Sequence, residues 1–563
     1  MTQSNSLFIL CTTDMPSKKE KYDCIIIGSG PGGAPFAWKL ASQGMDVLVL
    51  EAGPRYNPLK DYALAEQDWE TKGFPYKKKI KYTYGKRQTL DPQYSQLKSW
   101  NKASGMLNGT EKRIYHKYQQ VSGVGGTTLH YQGEAHRLNE NAFRMKTLYG
   151  EAVDWPIDYK TLEPYYTEVE NIIGVAGPDK VPYRPRSKPY PLKPHKLSYA
   201  SQVIEKGCKK QNLNLDPNTV AILSQLYRDA PPCNYCNGCY WGCPRKDKGS
   251  VDVTFIPIAE DTGNCEIMTY AFASRVEVEN KLGKKKVTGV SYYDRGGKEH
   301  FVKSDYVAVA CGAVETPRIL LNSDINQHGL VGKNFMETTF YEAIALHPNR
   351  LDSYRGIPLD SVIWEWNSPN PDRGFPGGLR LSPTAGSALG PLNYALRYFK
   401  GWGEDFVKGM DEWFGHALGM AGIAEFFPNE NTFVTLDPKV KDDYGLPVAR
   451  IQSFLGEAEL KSLEFMERTS KDILKASGAD EIVETASSYD IFSATHVYGT
   501  CRMGNDPESS VVDSSLRFHG IPNLFVTDAS VFPTSGGGEA PSLTIEALSL
   551  RAADLLLKDL KKG

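Results

Sequence analysis

The sequence predicts an α/β fold built on a Rossmann-type βαβ unit, with an antiparallel sheet in a later part of the chain, and three observations predict it. The first is the stretch from Lys21 to Pro54, KYDCIIIGSGPGGAPFAWKLASQGMDVLVLEAGP. The second is the alternating strand pattern from Val276 to Val309, whose last strand, Tyr306 to Ala310, passes through Cys311-Gly312-Ala313 into a helix ending at Leu321. The third is the aromatic-rich region 345–490, with short strand-like runs that read as an antiparallel sheet.

Taken in order, residues 1–20 read as a polar leader. The apolar strand Cys24 to Ile27 then runs into Gly28, Gly30 and Gly33, and an Ala/Leu-rich helix spans Ala34 to Gln43. Gly44 ends that helix, a second strand covers Asp46 to Leu50, and Glu51 closes the unit. The spacing has a physical reason. Gly28 permits the tight turn, Gly30 lets the backbone approach a pyrophosphate, and Gly33 lets helix and strand pack closely. The phosphates would rest on the unpaired amides of the helix N-terminus, and Glu51 would accept from a ribose hydroxyl. A plain βαβ unit with a glycine turn is the competing reading, but strand, glycines, helix, strand and acid occur in the order a dinucleotide site needs.

Beyond the unit, 55–110 is rich in Tyr, Lys and Gln with little periodicity, and Val121 to Arg137 (VSGVGGTTLHYQGEAHR) is a second glycine-rich turn. Asp154-Trp155-Pro156 precedes an amphipathic helix from Leu162 to Ile173, and 176–198 reads as a proline-rich connector. Turns are expected at Asn280–Gly283 and Arg295–Lys298, and a final helix from Leu543 to Leu557.

Composition sets bounds. A chain of 563 residues exceeds one ordinary core, so two intertwined domains are expected. A net charge of -2 with 23% charged residues gives no basis for a nucleic-acid partner. No apolar run reaches the length of a membrane span, and the N-terminal LFILC is too short for a signal-peptide core. The default location is cytoplasmic, with a periplasmic one alongside an exported partner as the alternative.

Four of the ten cysteines fall within eleven residues, as Cys233-x2-Cys236-x2-Cys239-x3-Cys243-Pro244. This is the spacing of the bacterial ferredoxin ligand run. Three readings stay open: an iron–sulfur cluster ([3Fe-4S] or [4Fe-4S]), a tetrahedral zinc site, or structural thiols and disulfides.

Several separated blocks together resemble the glucose–methanol–choline (GMC) oxidoreductases. Val309-Ala310-Cys311-Gly312-Ala313-Val314-Glu315-Thr316-Pro317-Arg318-Ile319-Leu320-Leu321 is similar to the family's second signature, and Gly329 to Met336 follows it in the expected place. His496-Val497-Tyr498-Gly499-Thr500 and Asn523 to Ser530 resemble its C-terminal block, and the Asp154-Trp155-Pro156 region resembles the branch of gluconate-type dehydrogenases and pyranose oxidases.

The resemblance implies FAD rather than NAD. It also implies the GMC fold, a flavin domain assembled from discontinuous segments with an α+β substrate domain carrying the antiparallel sheet. The flavin domain would take 21–55, 111–150, 225–344 and 491–563, and the substrate domain 56–110, 151–224 and 345–490. His496 would be the base that removes the hydroxyl proton of a secondary alcohol, on a sugar or polyol, during hydride transfer to flavin N5. His130, in Gly125-Gly126-Thr127-Thr128-Leu129-His130, matches a histidine that pyranose oxidases join covalently to the flavin. A covalent link and a simple hydrogen bond remain as alternatives. Asp528 would touch the ribityl or pyrophosphate region.

Cys233, Cys239 and Cys243 match the ligands of cluster-bearing FAD glucose dehydrogenases, so electrons would leave through a cluster to a quinone, another acceptor or a partner subunit. One position departs from the family: Ala540 stands where an Asn or His partner precedes Pro541, leaving the neighbouring Glu539 as a substitute. That departure keeps two other classes open, a flavin-dependent lyase or isomerase without net oxidation, and an electron-transfer subunit of a larger complex. The stretch Tyr398 to Trp413, with Trp402 and Trp413, is a further candidate for pocket lining.

Overall fold

The computed structural model describes residues 18–62, 104–107, 111–112, 120–384, 402–489 and 496–562. The expected leader falls outside these residues except for 18–20, as does most of 56–110.

The βαβ unit forms as its sequence requires. Strand β1 (Lys21–Ile27) leads through the glycine turn into helix α1 (Ala34–Ala41), and β2 (Val47–Leu50) returns parallel to β1. Both strands are buried from Cys24 to Ile27 and from Val47 to Leu50, the continuous apolar pattern of a sheet covered on both faces. Strand β3 (Cys265–Met268) pairs parallel with β2. The predicted alternating region becomes β4 (Phe272–Lys281), β5 (Lys284–Tyr293) and β6 (Glu299–Val309), turning where the sequence places its turns. Strand β6 lies parallel to β1, and late in the chain β11 (Leu524–Val526) pairs parallel with the C-terminal end of β6.

Segments distant in sequence therefore build one seven-stranded sheet. Its register decides where a ligand can sit. Ile27 is level with Leu50 and with Val309, and Val309 is level with Val526. Gly28, Glu51, Ala310 and Asp528 thus all lie just beyond the carboxyl ends of neighbouring parallel strands, where open α/β sheets bind ligands.

Two helices complete this half. Helix α2 (Tyr159–Ile173), with Asp158 accepting from the Thr161 amide as its N-cap, starts three residues earlier than the sequence indicates. The last helix, Ser542–Leu560, packs against α1 and α2, and Ser549 Oγ donates to Gly32 O at 2.7 Å, so it supports the glycine turn from behind.

The expected antiparallel sheet is present. It consists of β7 (Thr339–Leu346), β8 (Leu379–Thr384), β9 (Ala417–Ala424) and β10 (Glu481–Ser487), in the order β8-β9-β7-β10. It starts at Thr339, six residues before the boundary at 345. Helix Glu457–Ala476 covers one face through Leu463, Met466, Ile473 and Leu474. Thr338, just before β7, and Phe340 and Glu342 on it alternate onto the other face, which roofs the cavity. No helix among the described residues is long and apolar enough to cross a membrane.

Candidate active site

A single cavity of about 510 Å³ runs from the first glycine turn to His496. Gly28, Gly30, Glu51, Gly126, His130, Asp528 and His496 all line it, so the register above gathers seven of the residues singled out in the sequence. Gly33 and Gly125 stand behind the wall and shape it. A Cβ at Gly33 would lie 1.9 Å from Gly28 O, so only glycine lets α1 begin this close to β1. At Gly126 φ is +56°, and a Cβ there would lie 2.9 Å from Gly30 Cα. The two glycine-rich turns thus meet backbone to backbone.

Glu51 binds these turns together. Its Oε2 accepts from Ser29 N at 3.2 Å and Ser29 Oγ at 2.7 Å, and its Oε1 accepts from Gly53 N at 2.9 Å and Gly123 N at 3.1 Å. Burial raises its pKa, opposed by these four hydrogen bonds. The chain itself fills the carboxylate's four acceptor directions, so Glu51 is first a buttress of the cradle. Ser29, whose Oγ also accepts from Gly125 N at 3.1 Å, is a site residue that sequence reasoning passed over. Its place inside the glycine triplet was the available signal.

Asp528 has a similar double position. Its Oδ1 accepts from Ser530 N at 2.8 Å, capping a short turn, and its Oδ2 accepts from Gly312 N at 2.9 Å and Thr316 Oγ1 at 2.5 Å. It ties the end of β11 to the helix Gly312–Asn322 and raises its carboxyl pKa through burial. His130 follows the 3-10 turn Gly126–Leu129 on the cavity wall.

At the opposite end, His496 opens onto the cavity. Its Nδ1 is buried without a hydrogen-bond partner among the described residues. Burial, and secondly the Arg380 guanidinium, lower its pKa from 6.5 to about 4. The ring is therefore neutral from about pH 4 upward, with a lone pair free to take a proton. If it is the base, kcat/KM should stay level through pH 6.5 and fall only as pH drops through about 4. A pH–rate profile showing an acid limb near 6.5 would contradict this.

Glu539 does not reach the cavity. Its fully buried Oε1 accepts from Arg184 Nη2 at 2.6 Å, Asn367 Nδ2 at 3.0 Å and Asn139 N at 3.1 Å. The carboxylate is drawn to a buried guanidinium, away from the side of the chain where Ala540 faces the site, which corrects its expected catalytic role. Glu539→Ala should lower stability by about 3–5 kcal/mol in urea unfolding by stranding Arg184, and leave the acid limb of the pH profile where it was.

Among the described residues, no group of three or more His, Cys, Asp or Glu side chains stands placed to hold a metal. Cys239 is buried in an apolar cluster with Val220, Ile222 and Ile357, and Cys236 is exposed. Cys243 Sγ donates to Asp247 Oδ1 at 3.0 Å, and Cys233 Sγ accepts from Tyr235 N at 3.3 Å. Burial pushes the Cys233 thiol up to about 12 and the Cys243 thiol up to about 11. Burial favours the protonated thiols, and Cys239 lies within electrostatic reach of Cys233, Cys236 and Cys243.

Two further corrections concern the wall. Tyr398 lies outside the described residues, and none of the described residues 402–413 lines the cavity; Trp402 is 88% exposed. Glu134, by contrast, lines it unannounced, at 5% exposure.

Residues 93–339 and 428–549 match family descriptions that both read GMC oxidoreductase, and 26–56 match an NAD(P)-binding Rossmann-like domain. The chain is 29% identical to the fructose dehydrogenase large subunit of Gluconobacter japonicus, over 96% of this chain and 98% of that one. It is 30% identical to 2-methyl-1,2-propanediol dehydrogenase of Mycolicibacterium austroafricanum, over 96% of each. The solved structure of formate oxidase from Aspergillus oryzae RIB40 matches the fold with a TM-score of 0.67 at 16% identity, over 97% of this chain and all of that one. The glycine cradle, the split sheet and these matches agree, and the chain belongs to the GMC oxidoreductases, a flavoprotein family of dehydrogenases and oxidases that act on alcohol groups.

Proposed function

We propose that this chain binds FAD and oxidises a secondary alcohol on a sugar or polyol, with His496 as the base. One observation carries the reading: His496, held neutral, lines the same cavity as the dinucleotide cradle. The residues present fit FAD. The Gly30–Gly126 contact leaves room for no side chain, and the strand-end residues Gly28, Glu51 and Asp528 share the wall with His130. Gly28, Gly30, Gly33, Gly125, Gly126 and Asp528 would hold the nucleotide, and His130 would stand against the flavin.

FAD, when bound, accepts the hydride from the carbinol carbon. His496 would take the hydroxyl proton at Nε2, with the buried Nδ1 as the N–H nitrogen of the ring. The antiparallel sheet over the cavity keeps bulk water from the reacting carbon. The electrons would pass to an external acceptor, a quinone or a partner subunit. The last is supported by a relative named as a large subunit. Anaerobic mixing with secondary alcohols and sugars, followed at the flavin absorbance, tests the reading: bleaching supports it, and a flavin left oxidised by every alcohol and sugar overturns it.

A further inference from the structure

The departure at Ala540 leaves a gap in the polar lining, and the structure shows what stands beside it. Ala540 has only its backbone to offer, and its N–H already donates to His136 Nδ1 at 3.1 Å. That contact fixes the His136 tautomer, so Nε2–H donates to Asn218 Oδ1 at 2.8 Å. Asn218 Nδ2 then donates to Glu134 Oε1 at 2.9 Å. From the other side Arg380 Nη2 donates to Glu134 Oε2 at 2.6 Å, while its Nε donates to Gly538 O at 2.6 Å and its Nη1 to Ser382 Oγ at 3.0 Å.

One guanidinium therefore spans from the Gly538–Ala540 segment to the Glu134 carboxylate, which puts that carboxylate on the cavity wall beside Ala540. Glu134, Ala540 and His496 line the same cavity, and Arg380 is near enough to His496 to act on it electrostatically.

The other acidic residues on the wall are committed elsewhere. Glu51 is filled by the chain, Asp528 ties β11 to the helix Gly312–Asn322, Glu315 pairs with Arg318, and Glu342 accepts from Thr384 Oγ1. Glu134 is held from the Ala540 side, through Arg380 and Asn218. Each of its oxygens takes one donor among the described residues, and each has two acceptor directions. The carboxylate is buried, gripped by a buried arginine and an amide, and free to accept once more on each oxygen. It cannot turn away, because Arg380 is itself held at three points.

We propose that Glu134, clamped by Arg380 and Asn218, seats a second hydroxyl of the substrate next to the carbinol being oxidised, so that the site prefers vicinal diols and polyols to simple alcohols. This rests on the alcohol-oxidation reading above. An ionised carboxylate accepts and does not donate, so it selects a substrate group bearing a hydrogen, and a substrate lacking that hydroxyl leaves a buried acceptor unmet. The second contact also fixes the rotation of the carbinol, turning its O–H towards His496.

The test pairs secondary alcohols with their 2-hydroxy counterparts: 2-propanol with 1,2-propanediol, cyclohexanol with trans-1,2-cyclohexanediol, and deoxy sugars with their parents. Anaerobic flavin reduction by the wild-type holoenzyme should favour the diol by about 10–100-fold in kcat/KM, the range one charged hydrogen bond supplies. Glu134→Gln, which keeps the volume, should cut that preference at least about 10-fold, with flavin content and melting temperature as folding controls.

A diol preference below about threefold in the wild type overturns the proposal, and this arm needs no variant. An undiminished preference in folded, flavin-loaded Glu134→Gln overturns it as well. Bleaching by both members of each pair at equal rates removes only the Glu134 role, whereas bleaching by none removes the alcohol reading and this proposal together.

Discussion

Replacing His496 with alanine is expected to lower kcat by about 10²–10⁴-fold, the usual contribution of a positioned acid–base group. Flavin content should be unchanged, because the cradle is built from other segments, around Gly28–Gly33 and Gly125–Gly126. The effect is large because the neighbouring His136 cannot substitute. His136 also has its pKa pushed well below the ordinary value, first by burial and then by Arg380, but both its nitrogens are engaged, by Ala540 N–H and Asn218. Rapid-reaction measurement of flavin reduction separates chemistry from product release. Reduction at the wild-type rate by a flavin-loaded variant would remove His496 from the mechanism.

The second large effect is expected from Gly33→Ala. The new methyl would sit 1.9 Å from Gly28 O, a backbone atom that no rotamer change can move. Helix α1 must then back away from β1, and the backbone amides that would face the pyrophosphate go with it. The change sits under the final helix, through Ser549 and Gly32, so the displacement reaches the packing of α1 against that helix. The protein should purify without flavin, with its 450 nm absorbance lost, and should melt well below the wild type. A variant that keeps flavin at one equivalent per chain would show that the cradle tolerates the shift.

Much of this site was legible in the sequence because it depends on local geometry. A tight turn needs glycine, a buried parallel strand needs an unbroken apolar run, and an acid at a strand end needs only its place in the count. Hence Gly28, Gly30, Gly33 and Glu51 could be named from spacing, and β4, β5 and β6 turn where the sequence punctuates them. The resemblance of the C-terminal block likewise located His496 and Asp528, since each belongs to a short contiguous motif. The matches to GMC oxidoreductases over 93–339 and 428–549 support that family reading independently.

What the sequence left undecided has a common physical cause. Cys233, Cys236, Cys239 and Cys243 are close in sequence, yet a thiolate site also needs the side chains to turn inward together. Here an apolar cluster holds Cys239 with Cys233 packed against it, Asp247 takes Cys243, and Cys236 is exposed. Glu539 is adjacent to Ala540, yet the buried guanidinium of Arg184, 355 residues away, claims its carboxylate. Glu134 and Arg380 could not be paired from sequence at all, being 246 residues apart and joined only when the antiparallel sheet closes over the cradle.

By itself, then, the sequence determined the dinucleotide unit, the family and the identity of the candidate base, because each is written in a short stretch whose backbone requirements are local. Only the tertiary structure decided which charged groups face the substrate. That choice is made by desolvation: a buried carboxylate or guanidinium must find its opposite, and the partner it finds comes from whichever distant segment the fold brings within hydrogen-bond reach. In this protein that rule takes Glu539 out of the site and puts Glu134 into it.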